Sequence, residues 1–359
     1  MQKRSAQAQR GRARSHGSLP PLRRREKLTA ALLAFEDVKK HFPVKRSFVE
    51  GLVGGKPKYV RAVDGVSLSI EEGEVFVLVG ESGSGKTTLG KLGLRVYIPT
   101  SGKIFFEGRA IAGLRGEALQ EFRRSSQMIY QDPVAALNPR TRIGNAIAEP
   151  LRFHKIGDSN EWKERALKMM SRVGFEPPEE FYPRFPHELS GGQRQRVVIA
   201  RALVLKPKFV VADEPVAMLD VSIRAQILKL LLDLKKEMNL TLLIITHDIA
   251  IAKYFADHVG IMYLGQLVEK AERAQVFRNP MHPYTKALFS SVPVPDPEAS
   301  RNRMIIKGEI PSAISPPPGC RFHPRCPFVF DRCKTEEPRL LLGEESHLVA
   351  CHLYDKERV

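Results

Sequence analysis

Gly80-Glu81-Ser82-Gly83-Ser84-Gly85-Lys86-Thr87 puts three glycines, a lysine and three hydroxyls into eight residues. This is the spacing of a loop that cradles nucleotide phosphates. Its glycines let backbone N–H groups turn inward, and a helix starting there adds unsatisfied donors and a positive dipole end. Gly80, Ser82, Gly83, Ser84, Gly85, Lys86, Thr87 and Thr88 form the expected ATP-binding set, with Lys86 on the β- and γ-phosphates and the Thr87 hydroxyl on Mg²⁺. Four further residues could complete the chemistry. Asp213 and Glu214 follow the apolar run Phe209-Val210-Val211-Ala212; the first suits the metal, and the second can take a proton from a water aimed at the γ-phosphate. His247, after Leu242 to Thr246, can touch that phosphate, and Gln131, after Met128-Ile129-Tyr130, offers an uncharged side chain for Mg²⁺ and the attacking water. A second glycine turn, Leu189-Ser190-Gly191-Gly192-Gln193, exceeds what one nucleotide needs and suggests phosphate contact in another subunit's site.

Elements that would hold these groups can be read around them. Val75-Phe76-Val77-Leu78-Val79 is a short β-branched run ahead of the loop and reads as a buried strand, and the residues after Lys86 read as helix. The runs 209–212 and 242–245 read as further buried strands, separated by helices at about 194–205 and 222–238. Strands alternating with helices imply a largely parallel sheet with its chemistry at the strand carboxyl ends. Residues 33–38 and 60–70 read as strands flanking a surface insertion from Pro43 to Lys58. From about Asn138 to Glu188, Ala166, Met169, Met170 and Val173 fall at helical spacing, so this segment reads as a helical insert.

At 359 residues the chain has room for about two domains. Its 43% hydrophobic and 27% charged content reads as soluble and globular, and no apolar run approaches the ~18 residues a membrane span needs. The net charge of +17 is concentrated: residues 1–27 carry nine Lys and Arg against one acid. That arm reads as solvated and disordered, without the apolar core of a secretory signal. From about Ala274 the chain turns proline-rich, with Pro293, Pro295, Pro297 and Pro316-Pro317-Pro318, and a further unit is placed there. All four cysteines, Cys320, Cys326, Cys333 and Cys351, lie in the last forty residues. Their gaps of five, six and seventeen residues are wider than the two to four usual in a zinc knuckle. They favour an iron–sulfur cluster held by separate loops, with Zn²⁺, helped by His323 or His352, and no metal as alternatives.

The phosphate loop, Gln131, the Leu189–Gln193 turn, Asp213-Glu214 and His247, in this order, resemble the ATP-binding-cassette family over about residues 33–273. The resemblance implies an α/β P-loop NTPase of ABC type with a RecA-like core, an antiparallel β subdomain and a helical subdomain at about 138–188. The implied domains are a basic arm at 1–28, the nucleotide-binding domain at 29–272 and a C-terminal extension at 273–359 carrying the four-cysteine, cluster-binding site. The family pairs two subunits head to tail, so Ser190, Gly191, Gly192 and Gln193 would contact the ATP held opposite. Phe42 would stack on adenine, with Tyr59 second because of the intervening insertion. Asp220 would communicate across the dimer, although Ala217 stands where the family usually has serine. Asn279-Pro280-Met281-His282-Pro283-Tyr284-Thr285 looks like the mark of oligopeptide and dipeptide importers, as do Tyr130-Gln131-Asp132-Pro133 and Pro317-Pro318-Gly319-Cys320; some members of that group carry a 4Fe–4S cluster on four such cysteines. The resemblance thus implies an ATPase on the cytoplasmic face of the inner membrane that energises peptide uptake. Its implied partners are a second ATPase, usually a paralogue, two permease subunits and an extracytoplasmic binding protein, with no specific nucleic acid. Nickel, glutathione or another small solute is the alternative cargo, and a soluble cassette ATPase acting on nucleic acid is the rival from another class.

Overall fold

A computed structural model describes residues 31–44, 57–290, 304, 306, 308–343 and 346–355. The basic arm, most of the insertion after Pro43, and Pro293, Pro295 and Pro297 lie outside the described residues.

β1 (Ala31–Pro43) pairs antiparallel with β2 (Tyr59–Glu71), which leads into β3 (Val75–Val79). β4 (Ser101–Phe106) lies on the other edge of β1 and pairs with β5 (Arg109–Ala110), giving a small sheet ordered β2-β1-β4-β5. The remaining strands are β6 (Ser126–Ile129), β7 (Phe209–Asp213), β8 (Thr241–Thr246), β9 (His258–Tyr263), β10 (Gln266–Glu272), β11 (Leu341–Leu342) and β12 (Leu348–Val349). With β3 they form a second sheet ordered β11-β12-β10-β9-β3-β8-β7-β6. Strands β9, β3, β8, β7 and β6 are parallel, while β10, β12 and β11 are added antiparallel.

β3 shows why its sequence is apolar throughout. Val75, Val77 and Val79 pack into one core and Phe76 and Leu78 into another on the opposite face. A central parallel strand is covered on both sides, so a continuous hydrophobic run replaces alternation.

α1 (Lys86–Gly93) leaves the phosphate loop. The helical insert resolves into α2 (Ile143–Phe153) and α3 (Ser159–Arg172), followed by short turns at Pro178–Phe181 and Pro186–Glu188. Asp158 caps α3 by accepting the N–H groups of Asn160 and Glu161. Ala166, Met169, Met170 and Val173 are buried, as their spacing implies. α4 (Gly191–Leu203) starts three residues before the expected Arg194. Ser190 accepts the Gln193 N–H at 3.3 Å, and the Gln193 side chain accepts the Ser190 N–H at 3.0 Å. That reciprocal box satisfies two free donors, so the glycines begin the helix instead of preceding it. α5 (Val221–Met238) lies between β7 and β8.

The described part of the extension is woven into the catalytic sheet. β12 pairs with β10 through Leu348 and Val349, and β11 pairs with β12. α6 (Pro283–Ser290) follows β10 with Tyr284 and Thr285 fully buried.

Candidate nucleotide site

The phosphate loop depends on glycines that leave no room for a side chain. Gly85 has φ +102°, and a Cβ there would lie 2.1 Å from the Ala62 carbonyl oxygen, so only glycine fits. The turn starts α1 at Lys86, whose Nζ donates to the carbonyls of Gly80 and Glu81 at 2.7 and 2.9 Å and approaches Ser84 Oγ at 3.3 Å. Burial lowers the Lys86 pKa, opposed by the charges of Glu214, Asp213 and Glu81. A lysine so placed is ready to exchange these bonds for phosphate oxygens.

Thr87 Oγ1 donates to Asp213 Oδ1 at 3.0 Å, joining the end of β7 to the first turn of α1. Burial raises the Asp213 pKa, with the Thr87 hydrogen bond pulling the other way. A hydroxyl and a desolvated carboxylate side by side, with the Gln131 amide nearby, are the hard oxygen donors that Mg²⁺ prefers. Glu214 turns out of the strand with φ +46° while its N–H reaches the Ile245 carbonyl at 2.8 Å. Its carboxylate lies between Gln131 Nε2, which donates to Oε2 at 3.0 Å, and His247 Nδ1, 3.0 Å from Oε1.

Lys86, Thr87, Gln131, Glu214 and His247 share a cleft of about 810 Å³, whereas Asp213 lines an adjoining pocket with Thr87 and Gln131, and Gly80 and Ser84 are not among the lining residues of the cleft. Ser82, Gly83, Gly85, Lys86, Thr87 and Thr88 line it on one side, Gln131, Glu214 and His247 on another, and Phe42 at its edge. Phe42 is braced by Tyr97, edge to face at 5.3 Å. Tyr59 pairs with Pro43, stands 43% exposed and is not among the lining residues. The Leu189–Gln193 turn also lies outside this cleft. Ser190 and Gly191 are exposed, and Gly192 packs so tightly on Ile223 of α5 that a Cβ would come within 2.8 Å of it. Asp220 stands just before the same helix, makes no capping hydrogen bond with its side chain, and is exposed. Sequence reading missed Val60, Ala62 and Ala313, which also line the cleft. Ala313 is held there by the Arg61 N–H, bonded to its carbonyl at 3.0 Å, and small residues so far apart in sequence leave no motif to find.

The four cysteines are free thiols from four stretches of the extension. With His282, His323 and His352 they line a cavity of about 10 Å³, scarcely the space of one water. Burial pushes Cys320 up to about 11 and Cys351 up to about 12, and raises Cys326. Among the described residues no group of three or more His, Cys, Asp or Glu could hold a metal ion. The cluster-binding character expected of the extension is therefore unsupported by the arrangement as it stands.

Residues 63–217 match the family model described as ABC transporter, and residues 268–333 match Oligopeptide/dipeptide transporter, C-terminal region. The oligopeptide transport ATP-binding protein AppF of Bacillus subtilis (strain 168) is 46% identical over 326 residues, covering 90% of this chain and 97% of that protein. The chain belongs to the ABC transporter family. The dipeptide transport ATP-binding protein DppF of Haemophilus influenzae (strain ATCC 51907 / DSM 11121 / KW20 / Rd) is 44% identical over 318 residues, 89% of this chain and 95% of that one. Among solved structures, a post-hydrolysis dimer of the ATP-binding cassette MJ0796 bound to ADP and Pi matches with a TM-score of 0.57 and 29% identity, over 67% of this chain and 98% of that one. The chain is thus an ABC ATPase coupled to transport, for which ATP and Mg²⁺ are the expected ligands. Among the described residues no helix is long and apolar enough to cross a membrane.

Proposed function

We propose that this ABC ATPase energises uptake of dipeptides or oligopeptides through two partner permease subunits fed by an extracytoplasmic binding protein, working peripherally on the cytoplasmic face of the membrane. The reading is supported by the match of residues 268–333 to the oligopeptide/dipeptide C-terminal region and by relatives named for peptide transport. The observation that carries the chemistry is the Glu214 carboxylate between Gln131 and His247, facing the loop that holds Lys86.

In this reading Lys86 and the loop amides bind the β- and γ-phosphates, and Phe42 takes the adenine. Thr87, Asp213 and Gln131 would hold Mg²⁺, which when bound neutralises phosphate charge. Glu214 accepts the proton of the attacking water, with His247 and Gln131 fixing the carboxylate. Ser190, Gly191, Gly192 and Gln193 face the ATP of a second ATPase subunit, a paralogue, and Asp220 lies at the same interface. The helical segment at about 138–188 receives the permeases, and Gln131 relays closure to it. The chain divides into an arm at 1–28, the nucleotide-binding domain at 29–272 and the extension at 273–359.

For the extension we propose a 4Fe–4S cluster on Cys320, Cys326, Cys333 and Cys351. Four thiols without a carboxylate are a fitting donor set, and each cysteine of a cluster binds a different iron, so they need not converge on one point as zinc ligands do. The present cavity leaves no room for such a group unless the loops part. Anaerobically purified protein should be brown with about four irons per chain; colourless or zinc-loaded protein overturns the assignment.

Purifying the tagged chain from membranes tests the transport reading. Two permeases and a second ATPase should accompany it, with ATP turnover stimulated by peptide and its binding protein. Stimulation by nickel or glutathione instead, or ATP turnover without membrane partners, would sink it.

A further inference from the structure

The phosphate loop is gripped at Glu81 by residues of the C-terminal extension. The Glu81 N–H donates to the Tyr284 hydroxyl at 2.9 Å. Its carboxylate receives a fork from Arg325, Nη1 to Oε2 at 2.8 Å and Nη2 to Oε1 at 3.1 Å. Its carbonyl accepts from Lys86 Nζ. One residue therefore connects the extension to the lysine that reads phosphate. The grip is half-buried: the Arg325 side chain is 8% exposed and that of Glu81 27%, the guanidinium lies over the Tyr263 ring at 5.9 Å, and Tyr263 packs on Tyr284 at 4.7 Å.

A second brace runs parallel to the first. Arg321 pairs with Asp64 and donates to the Leu264 carbonyl at 2.6 Å. The adjacent Gly265 N–H donates to the Ser84 carbonyl inside the loop at 2.9 Å.

The physical consequences are two. A glycine-rich loop has much backbone freedom to lose, and holding it in its binding shape removes an ordering cost that phosphate would otherwise meet. Glu81 also places a negative charge within electrostatic reach of Lys86. A forked arginine pair, which fixes direction as well as charge, turns that carboxylate away and neutralises it.

We propose that Arg325, seconded by Tyr284, is a positioning residue for ATP binding: it sets the phosphate loop through Glu81 and cancels a carboxylate that would repel phosphate. The proposal rests on the reading of this cleft as the ATP site.

MgATP affinity of the full chain, measured by titration calorimetry, tests it. Arg325→Gln should weaken binding about tenfold, with turnover at saturating ATP changed less than about threefold. Arg325→Lys, keeping charge but losing the fork, should fall between. Adding Glu81→Gln to Arg325→Gln should recover most of the loss, because the unpaired charge is gone. An arginine that only anchors the extension would show no such rescue. Tyr284→Phe should weaken binding by about threefold and keeps the proposal testable if Arg325→Gln does not fold. Unchanged affinity in Arg325→Gln, or no rescue by Glu81→Gln, overturns the clamp. Lys86→Ala separates the two readings: binding that survives it overturns cleft and clamp together, whereas binding lost in Lys86→Ala but intact in Arg325→Gln overturns the clamp alone.

Discussion

The nucleotide cleft and the cysteine cavity are built on opposite plans. The cleft is wide and lined by loop backbone and charged groups; the cavity is closed, about 10 Å³, and lined by thiols and rings. A cleft whose shape comes from backbone can exchange its ligand with solvent at every turnover. A closed cavity of about 10 Å³ offers no such passage. The first plan suits a substrate that comes and goes.

The largest expected effect lies wholly inside the cleft. Glu214→Gln removes the proton acceptor and keeps the side chain's shape, so ATP turnover should fall roughly a thousandfold while ATP still binds and the two-ATPase pair accumulates in its ATP-bound form. Phosphate release and size-exclusion chromatography with ATP check this, and turnover at the original rate removes Glu214 from its role. Next comes the join between the regions. Arg321→Gln leaves Asp64 in place with its buried partner removed, and should cost about 3 kcal/mol in denaturant unfolding. Burial alone pushes the Asp64 carboxyl up, but hydrogen bonds and charge from Arg321 and His41 more than reverse this, leaving it below its ordinary 3.8. The unfolded chain therefore takes the proton first as pH falls. The wild-type advantage over Arg321→Gln should be complete above pH 3.8 and shrink below it; an advantage that grows with acid would contradict the pair.

Two glycines compare the regions directly. Gly85, at the cleft, and Gly319, beside Cys320, both have positive φ, and a Cβ at either meets a carbonyl oxygen, of Ala62 at 2.1 Å and of Cys333 at 2.5 Å. Alanine at each should destabilise by about 2 kcal/mol. Only Gly85→Ala should also weaken MgATP binding in proportion beyond its effect on folding. Equal loss of binding in Gly319→Ala would show that the two regions act as one.

The same contrast explains what the sequence discloses. The phosphate loop, Asp213-Glu214, Gln131 and His247 are local signals because each stands at or just beyond the carboxyl end of a strand, and parallel strands deliver those ends to one edge. The sheet and helical insert are legible for the same periodic reason. The Ser190 cap does not read as the start of α4, since glycines argue against helix until the reciprocal bonds to Gln193 are seen. Nothing in the sequence announces that Arg325 meets Glu81, 244 positions away, or that Leu348 and Val349 extend the sheet from β10. Those pairings depend on tertiary approach and carry no period. The cysteine spacings signal a shared site and the cavity gathers all four, but spacing along a chain does not specify how far apart sulfurs stand.

The smallest effect concerns the edge of the cleft. Phe42 lines it and is braced by Tyr97, while Tyr59 is exposed and outside it. Stacking of a base on an aromatic face is worth on the order of 1 kcal/mol, so Phe42→Ala should weaken MgATP binding roughly fivefold with little change in turnover at saturation. Phe42→Tyr should retain the affinity, because the face is kept. Tyr59→Ala should leave it unchanged. The two alanine variants decide between the aromatic residues: loss in Tyr59→Ala with none in Phe42→Ala would move the adenine from Phe42 to the neighbouring register position, where Tyr59 pairs with Pro43.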